Sequence, residues 1–322
     1  MANPAAPIAD LSYRTYDGPL APPTFRWWSI AKMTMRLNIK KKLFWWWALL
    51  TPAWYYVLGS VFYFADLMAE NARTMGTGAD RAVQTFLTQI VWKDQFLDAF
   101  NRAQIWLFLI TVTIGAGIIA ADNRANALLV YLSKPCTKLD YIAGKWVGMF
   151  LMMTAVMGVP TLLFYAYCLL SYRSYGFLSQ DPWLILKLLA MIPLPAALYA
   201  SIILGISSLF DQGRIAGAVF SGLFFISYFM TIIVSIIRFE ARPTQSPLLD
   251  NAFYLSLDGI LQGLFKIILG TSGSRPFGMR TRGFEFPPPP NPALFITLYV
   301  LICAGFIWLA WRRVRAVEVV GS

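Results

Sequence analysis

The chain has 322 residues, of which 58% are hydrophobic and only 13% are charged, a composition that predicts an all-α polytopic membrane protein and not a soluble domain. The formal net charge of +11 does not indicate nucleic-acid binding, because the basic residues lie beside apolar segments instead of forming a patch with interleaved aromatic side chains. The chain contains no His, which excludes Ser-His-Asp triads, histidine metal sites and histidine proton relays together.

The N-terminal region divides into two parts. Residues 1–23 are polar and rich in proline, so they are expected to form a flexible tail. In residues 24–42, Lys32, Arg36 and Lys40 recur at a spacing of four, which places them on one face of a helix. We expect this helix to lie among lipid headgroups on the cytoplasmic side. The alternative is a solvated basic face without lipid contact.

Six segments lack Asp, Glu, Lys and Arg and have about the twenty residues that cross roughly 30 Å of hydrocarbon. They are residues 43–65, 104–121, 147–171, 188–210, 216–237 and 293–311. Prolines inside them predict kinks. Because these segments contain no ionisable acidic or basic side chain, the sequence argues against ion-coupled secondary transport.

Charges set the orientation of the six predicted spans. With both termini inside, the cytoplasmic side carries 15 basic and 6 acidic residues, against 12 basic and 10 acidic residues outside. Basic excess marks the cytoplasmic side. The sequence therefore predicts an inner (cytoplasmic) membrane protein whose N-terminus and C-terminal tail, residues 312–322, are cytoplasmic.

Two external segments, residues 66–103 and 238–292, are too long for simple turns. The second contains the apolar stretch 251–270, which Asp258 and Lys266 interrupt, so we expect an interfacial or re-entrant helix there, with a seventh span as the alternative.

The first segment, 66–103, precedes the second span. Its helical spacing of apolar residues predicts a helix that carries Val83, Phe86, Leu87, Ile90 and Val91. Asp94 and Asp98 lie one turn apart and could suggest acid–base chemistry or a cation site. We expect them instead to be solvated residues on a helix surface.

The link between the second and third spans, residues 122–146, has specific local signals. Pro135 cannot donate a backbone hydrogen bond and disfavours helical geometry at Lys134, so a first helix should end near Ser133. Thr137 stands three residues before Asp140, a spacing that predicts a capping box and a new helix start.

The link has a basic excess and an apolar surface. Its charged residues are Asp122, Arg124, Lys134, Lys138, Asp140 and Lys145, which favours the cytoplasmic side. Leu128, Leu129, Val130, Tyr131 and Leu132 provide more apolar surface than a connector in water needs, and this surface predicts a binding partner.

In this stretch the chain resembles the membrane subunits, or permeases, of ABC transporters of the ABC-2 type. Their link contains a Glu and an Arg, Gly-Thr-Leu, a Leu-rich turn, a basic residue with Pro, and a closing Gly-Lys. The corresponding residues here are Asp122, Arg124, Leu128, Tyr131, Leu132, Lys134, Pro135, Gly144 and Lys145. The sequence departs from the family pattern at Asp122, which replaces Glu, at Asn126, which replaces Gly, and at Ala127, which replaces Thr.

The resemblance implies that residues 122–135 form a coupling helix that docks on a separate ATPase subunit. Its docking residues would be Asp122, Arg124, Leu128, Tyr131, Leu132, Lys134 and Pro135. The alternative is an amphipathic interfacial link in an unrelated membrane protein.

The predicted fifth span carries small residues at a spacing of four, Gly217 with Ser221 and Ala218 with Gly222, which allow close helix approach. Phe224, Phe225 and Tyr228 follow on the same segment. The resemblance implies that the first and fifth spans face a second permease, as a homodimer or a heterodimer. Contact with lipid or with neighbouring helices is the alternative for these aromatic residues.

The chain lacks a phosphate-binding GxxxxGK[ST] motif. We therefore expect a non-enzymatic permease that binds no cofactor itself, with ATP and Mg bound by partner ATPase subunits, and the resemblance implies export. The alternative is a protein of another functional class, a membrane scaffold or assembly subunit whose external helices bind an external protein. The sequence does not identify a substrate.

Overall fold

A computed structural model describes residues 25–75, 79–125, 137–240, 251–274 and 287–314. Most residues in these ranges are helical and none forms a strand, which confirms the all-α prediction. The helices are α1 (Arg26–Ile39), α2 (Lys42–Leu50), α3 (Ala53–Met75), α4 (Ala79–Gln89), α5 (Trp92–Gly115), α6 (Ala120–Arg124), α7 (Lys138–Ser171), α8 (Phe177–Gln180), α9 (Leu184–Met191), α10 (Pro193–Ser207), α11 (Gly213–Glu240), α12 (Leu257–Leu269) and α13 (Pro292–Arg313).

The chain is a polytopic membrane protein. Among the described residues, five helical segments are long and apolar enough to cross a membrane: Trp92–Arg124, Lys138–Ser171, Leu184–Ser207, Gly213–Ile237 and Pro292–Arg313. Helices α2 and α3 make a sixth span if they are counted together across a bend of 41°. The bend falls at Pro52, which has no backbone N–H to continue the helix.

Helix α10 lies at the centre of the bundle. All its residues from Leu198 to Ser207 are buried, and it packs against α5, α7, α11 and α13. A one-residue break at Ile192 separates it from α9, where Pro193 opens the new helix. The central position of α10 allows its last residue, Ser207, to contact the end of the second span at residues 116–120.

Helix α1 lies along the N-terminal half of α7 at short range. A Cβ atom added at Gly144 would come 2.6 Å from the carbonyl oxygen of Trp27, and one at Gly148 would come 2.9 Å from that of Ala31. Only glycine permits such close backbone approach. The predicted interfacial helix is therefore fixed to the start of the third span.

Helix α12 closes the outer side of the bundle. Its 13 residues extend for about 20 Å, too short to cross the hydrocarbon core. Lys266 on this helix is only 1% exposed, and its Nζ donates to the carbonyl oxygen of Pro287 at 3.0 Å and to Tyr254 Oη at 3.1 Å. The structure therefore has no seventh span in residues 251–270.

Candidate functional site at the root of the link between the second and third spans

The two ends of the link between the second and third spans are described, and its middle is not. Helix α6 ends at Arg124, and α7 begins at Lys138. The predicted docking residues outside the described ranges are Leu128, Tyr131, Leu132, Lys134 and Pro135. Asp122 and Arg124 are described, and Arg124 is exposed.

The start of α7 has the predicted capping box. Thr137 Oγ1 accepts a hydrogen bond from the backbone N–H of Asp140 at 3.1 Å, and the Asp140 carboxylate accepts one from the backbone N–H of Thr137 at 3.1 Å. The prediction is confirmed. Because two otherwise free N–H groups are satisfied, the third span has a fixed starting residue at the edge of the link.

The second span is interrupted just before the link. Helix α5 ends at Gly115, residues 116–119 form a turn, and α6 follows. Ser207 Oγ on α10 accepts hydrogen bonds from the backbone N–H groups of Ile119, at 3.1 Å, and Ala120, at 3.0 Å, and donates to the carbonyl oxygen of Ala116 at 2.9 Å. One buried hydroxyl thus satisfies three backbone groups that the interruption leaves without helical partners.

Asp122 joins the two ends of the link. Its Oδ2 accepts a hydrogen bond from Tyr141 Oη at 2.6 Å and forms an ion pair with Lys145 Nζ at 2.9 Å. The side chains of Lys145 and Asp122 are only 10% and 19% exposed. The partners lie 19 and 23 residues further along the chain, so this carboxylate holds α6 against the first two turns of α7.

The surface beside this contact is formed by α1. Ile30 and Ala31 are buried against α7, while Lys32, Arg36 and Lys40 are exposed. The predicted basic face is therefore available to lipid headgroups or to solvent. Leu37, which the pattern places away from that face, is 53% exposed.

The candidate dimer residues of α11 lie on two different faces. Gly217 packs against Val112 of α5 and Ala116 in the turn after it, and the ring of Phe224 stacks on that of Phe108 with centroids 4.2 Å apart. Ser221 is half-buried and donates a hydrogen bond to the carbonyl oxygen of Gly217 at 2.8 Å. In contrast, Phe225 and Tyr228 are 43% and 47% exposed.

The external aspartates differ from the expectation of solvated residues. Asp94 is 3% exposed, and its Oδ1 accepts a hydrogen bond from Thr271 Oγ1 at 2.6 Å. Asp98 is half-buried, and its Oδ2 is buried without a hydrogen-bond partner in the described part of the chain. Solvation was a wrong prediction for Asp94, because the segment after α12 folds back over it. The first turns of α5 also bring charged residues into the helix of the second span, which the charge-free segments did not predict.

Comparison with known proteins identifies a family for most of the chain. A family model described as ABC-2 family transporter protein matches residues 28–310, which include α2 to α12, most of α1 and α13, and the whole link. The search of curated proteins finds no match.

Proposed function

The chain belongs to the ABC-2 transporter family and is a transmembrane transport subunit, and from this premise we propose that separate ATPase subunits drive it as an exporter. The family match over residues 28–310 carries the proposal. In it, the link 122–135 is the docking segment, ATP and Mg are bound by the partner subunits, and both termini of the permease are cytoplasmic.

The contacts at the root of the link support a mechanism for coupling. A partner that displaces residues 122–135 would move α6 and the first turns of α7 together, because Asp122 ties Tyr141 and Lys145 to α6. The turn at residues 116–119 would be the point where this displacement bends the second span, and Ser207 would limit the bend. Helix α1 would follow α7 because of the close contact at Gly144.

A second permease would complete the complex. The outward face of α11 is apolar over several turns, with Val219, Phe225, Ile226, Phe229, Met230 and Ile233 all exposed. A second copy of this chain or a similar permease could cover this surface, and lipid would cover the remainder. The small pair Ala218 and Gly222 is exposed on the same helix, and a Cβ added at Gly222 would meet no atom within 4 Å, which leaves room for a partner helix.

Docking is tested by acidic substitutions in the link. The double variant Leu128→Asp/Leu132→Asp should insert in the membrane at the level of the original chain, because acidic residues contribute little to orientation. It should no longer co-purify with an ATPase subunit, because two carboxylates would have to be desolvated in the docking surface.

The matched control is Leu139→Asp, which places the same acid just outside the proposed docking segment at a residue that is 65% exposed. This variant should keep the ATPase. Unchanged co-purification of the double variant would contradict the docking role of the link and would favour the scaffold alternative.

A further inference from the structure

One face of α5 is left open between the first and fifth spans. On one side of this face, the rings of Trp47 and Trp106 stack at 6.2 Å. On the other side, Phe108 stacks on Phe224. Between them the helix exposes Arg102 and, one turn nearer the cytoplasm, Ile105, which is 39% exposed.

Arg102 lies well inside the membrane-spanning region. It is thirteen residues before Gly115, where α5 ends on the cytoplasmic side, and a rise of 1.5 Å per residue makes this about 20 Å. The hydrocarbon core is about 30 Å thick. The guanidinium group therefore lies in the outer half of the core, where an uncompensated charge is costly and marks a functional position.

The contacts of Arg102 compensate its charge only in part. Its Cζ lies 3.9 Å from the centroid of the Trp54 ring on α3, which is a cation–π contact. In the part of the chain that the structure describes, the guanidinium donates no hydrogen bond. Asp98 lies one turn further out on the same face, but among the described residues the structure has no ion pair between them. The side chain of Arg102 remains exposed on the open face of α5.

We propose that Arg102 and Trp54 form a binding site for the anionic, phosphate-type group of an amphipathic molecule in the cleft between the first and fifth spans. A guanidinium binds such a group through two parallel hydrogen bonds. The apolar face that continues through Ile105 and Leu109 fits an alkyl chain. This inference rests on the proposed function, since it assigns a substrate class to the transport subunit.

The test measures binding of dodecyl phosphate to the purified full-length chain in dodecyl maltoside by native mass spectrometry. Arg102→Gln should weaken the tightest-binding adduct by roughly tenfold, because the charged donors are lost. The affinity of Arg102→Lys for dodecyl phosphate should lie between those of the original chain and of Arg102→Gln, because lysine keeps the charge and loses the planar guanidinium. The matched control is Arg36→Gln on the exposed face of α1, which should leave this adduct unchanged.

Further ligands identify the source of the anionic group. Dodecylphosphocholine, with the same chain and no net charge, should bind at least tenfold more weakly than dodecyl phosphate to the original chain. Displacement of dodecyl phosphate by phosphatidylglycerol would assign the site to a membrane lipid, and displacement by inorganic phosphate would assign it to a free anion.

Equal binding of dodecyl phosphate to the Arg102→Gln variant, or equal binding of the zwitterionic ligand, would overturn the proposal. The experiment contains no ATPase, so its failure would leave the docking role of residues 122–135 unaffected. Loss of docking would likewise leave the binding result unchanged.

Discussion

The two ends of the second span differ in how their polar groups are satisfied. At the end next to the link, the Asp122 carboxylate has two donors and the Ser207 hydroxyl makes three hydrogen bonds. At the opposite end, in the first turns of α5, both amide atoms of Gln95 and one carboxylate oxygen of Asp98 are buried without a partner within the described ranges. A fully satisfied network resists displacement, whereas buried polar atoms without partners call for water or a ligand. The comparison indicates that the end of the second span next to the link is stiff and that the opposite end can take up water or a ligand.

The largest expected loss of stability comes from a substitution at the stiff end of the second span, next to the link. Asp122→Asn should lower the free energy of unfolding by about 3 kcal/mol, because it leaves the largely buried Lys145 without its carboxylate. Denaturation in mixed micelles measures this loss. The matched control is Asp140→Asn on the other acidic residue of the link, which removes only a helix cap and should cost about 1 kcal/mol.

A second substitution isolates the ion pair itself. Adding Lys145→Met to Asp122→Asn should restore most of the lost stability, because no unpaired charge then remains buried. If the double variant were no more stable than Asp122→Asn alone, the unpaired lysine would not be the cause of the loss.

An intermediate effect is expected at the interruption of the second span. Ser207→Ala should lower the free energy of unfolding by about 2 kcal/mol, because the buried N–H groups of Ile119 and Ala120 lose their acceptor. The neighbouring Ser208 is also buried, but its hydroxyl donates only to the carbonyl oxygen of Gly205 in its own helix, at 2.7 Å. Ser208→Ala should therefore cost about 0.5 kcal/mol or less, and equal losses for the two variants in the same assay would contradict the role of Ser207.

The smallest effect is expected at the opposite end of α5. Asp98→Asn should change the free energy of unfolding by less than about 1 kcal/mol, because it removes a charge whose Oδ2 is buried without a hydrogen-bond partner among the described residues. The same denaturation assay applies, and a loss as large as that of Asp122→Asn would remove the distinction between the two ends.

Local patterns in the sequence predict much of this architecture. The charge-free segments indicate the spans, and the Thr137–Asp140 spacing identifies the start of the third span, because a capping box needs only residues three apart. Prolines mark the breaks at residues 52 and 193 for the same local reason.

Contacts between distant residues could not be predicted in this way. The motif comparison singles out Asp122 as a docking residue, but its partners Tyr141 and Lys145 are known only once α6 and α7 lie side by side. The sequence suggests a solvated Asp94, because no neighbouring residue indicates that Thr271, 177 positions further along the chain, packs over it. For α11, the sequence does not show which side of the helix faces α5, so Gly217 and Phe224 were grouped with outward-facing residues.

The central claim is that the link between the second and third spans is cytoplasmic and is held by an ATPase subunit. Cys136 lies in this link, and the other two cysteines of the chain can be replaced in the variant Cys168→Ala/Cys303→Ala. A membrane-impermeant maleimide should label Cys136 in inverted vesicles and not in right-side-out vesicles, and bound ATPase should slow the labelling. Labelling of Cys136 only in right-side-out vesicles would contradict the account.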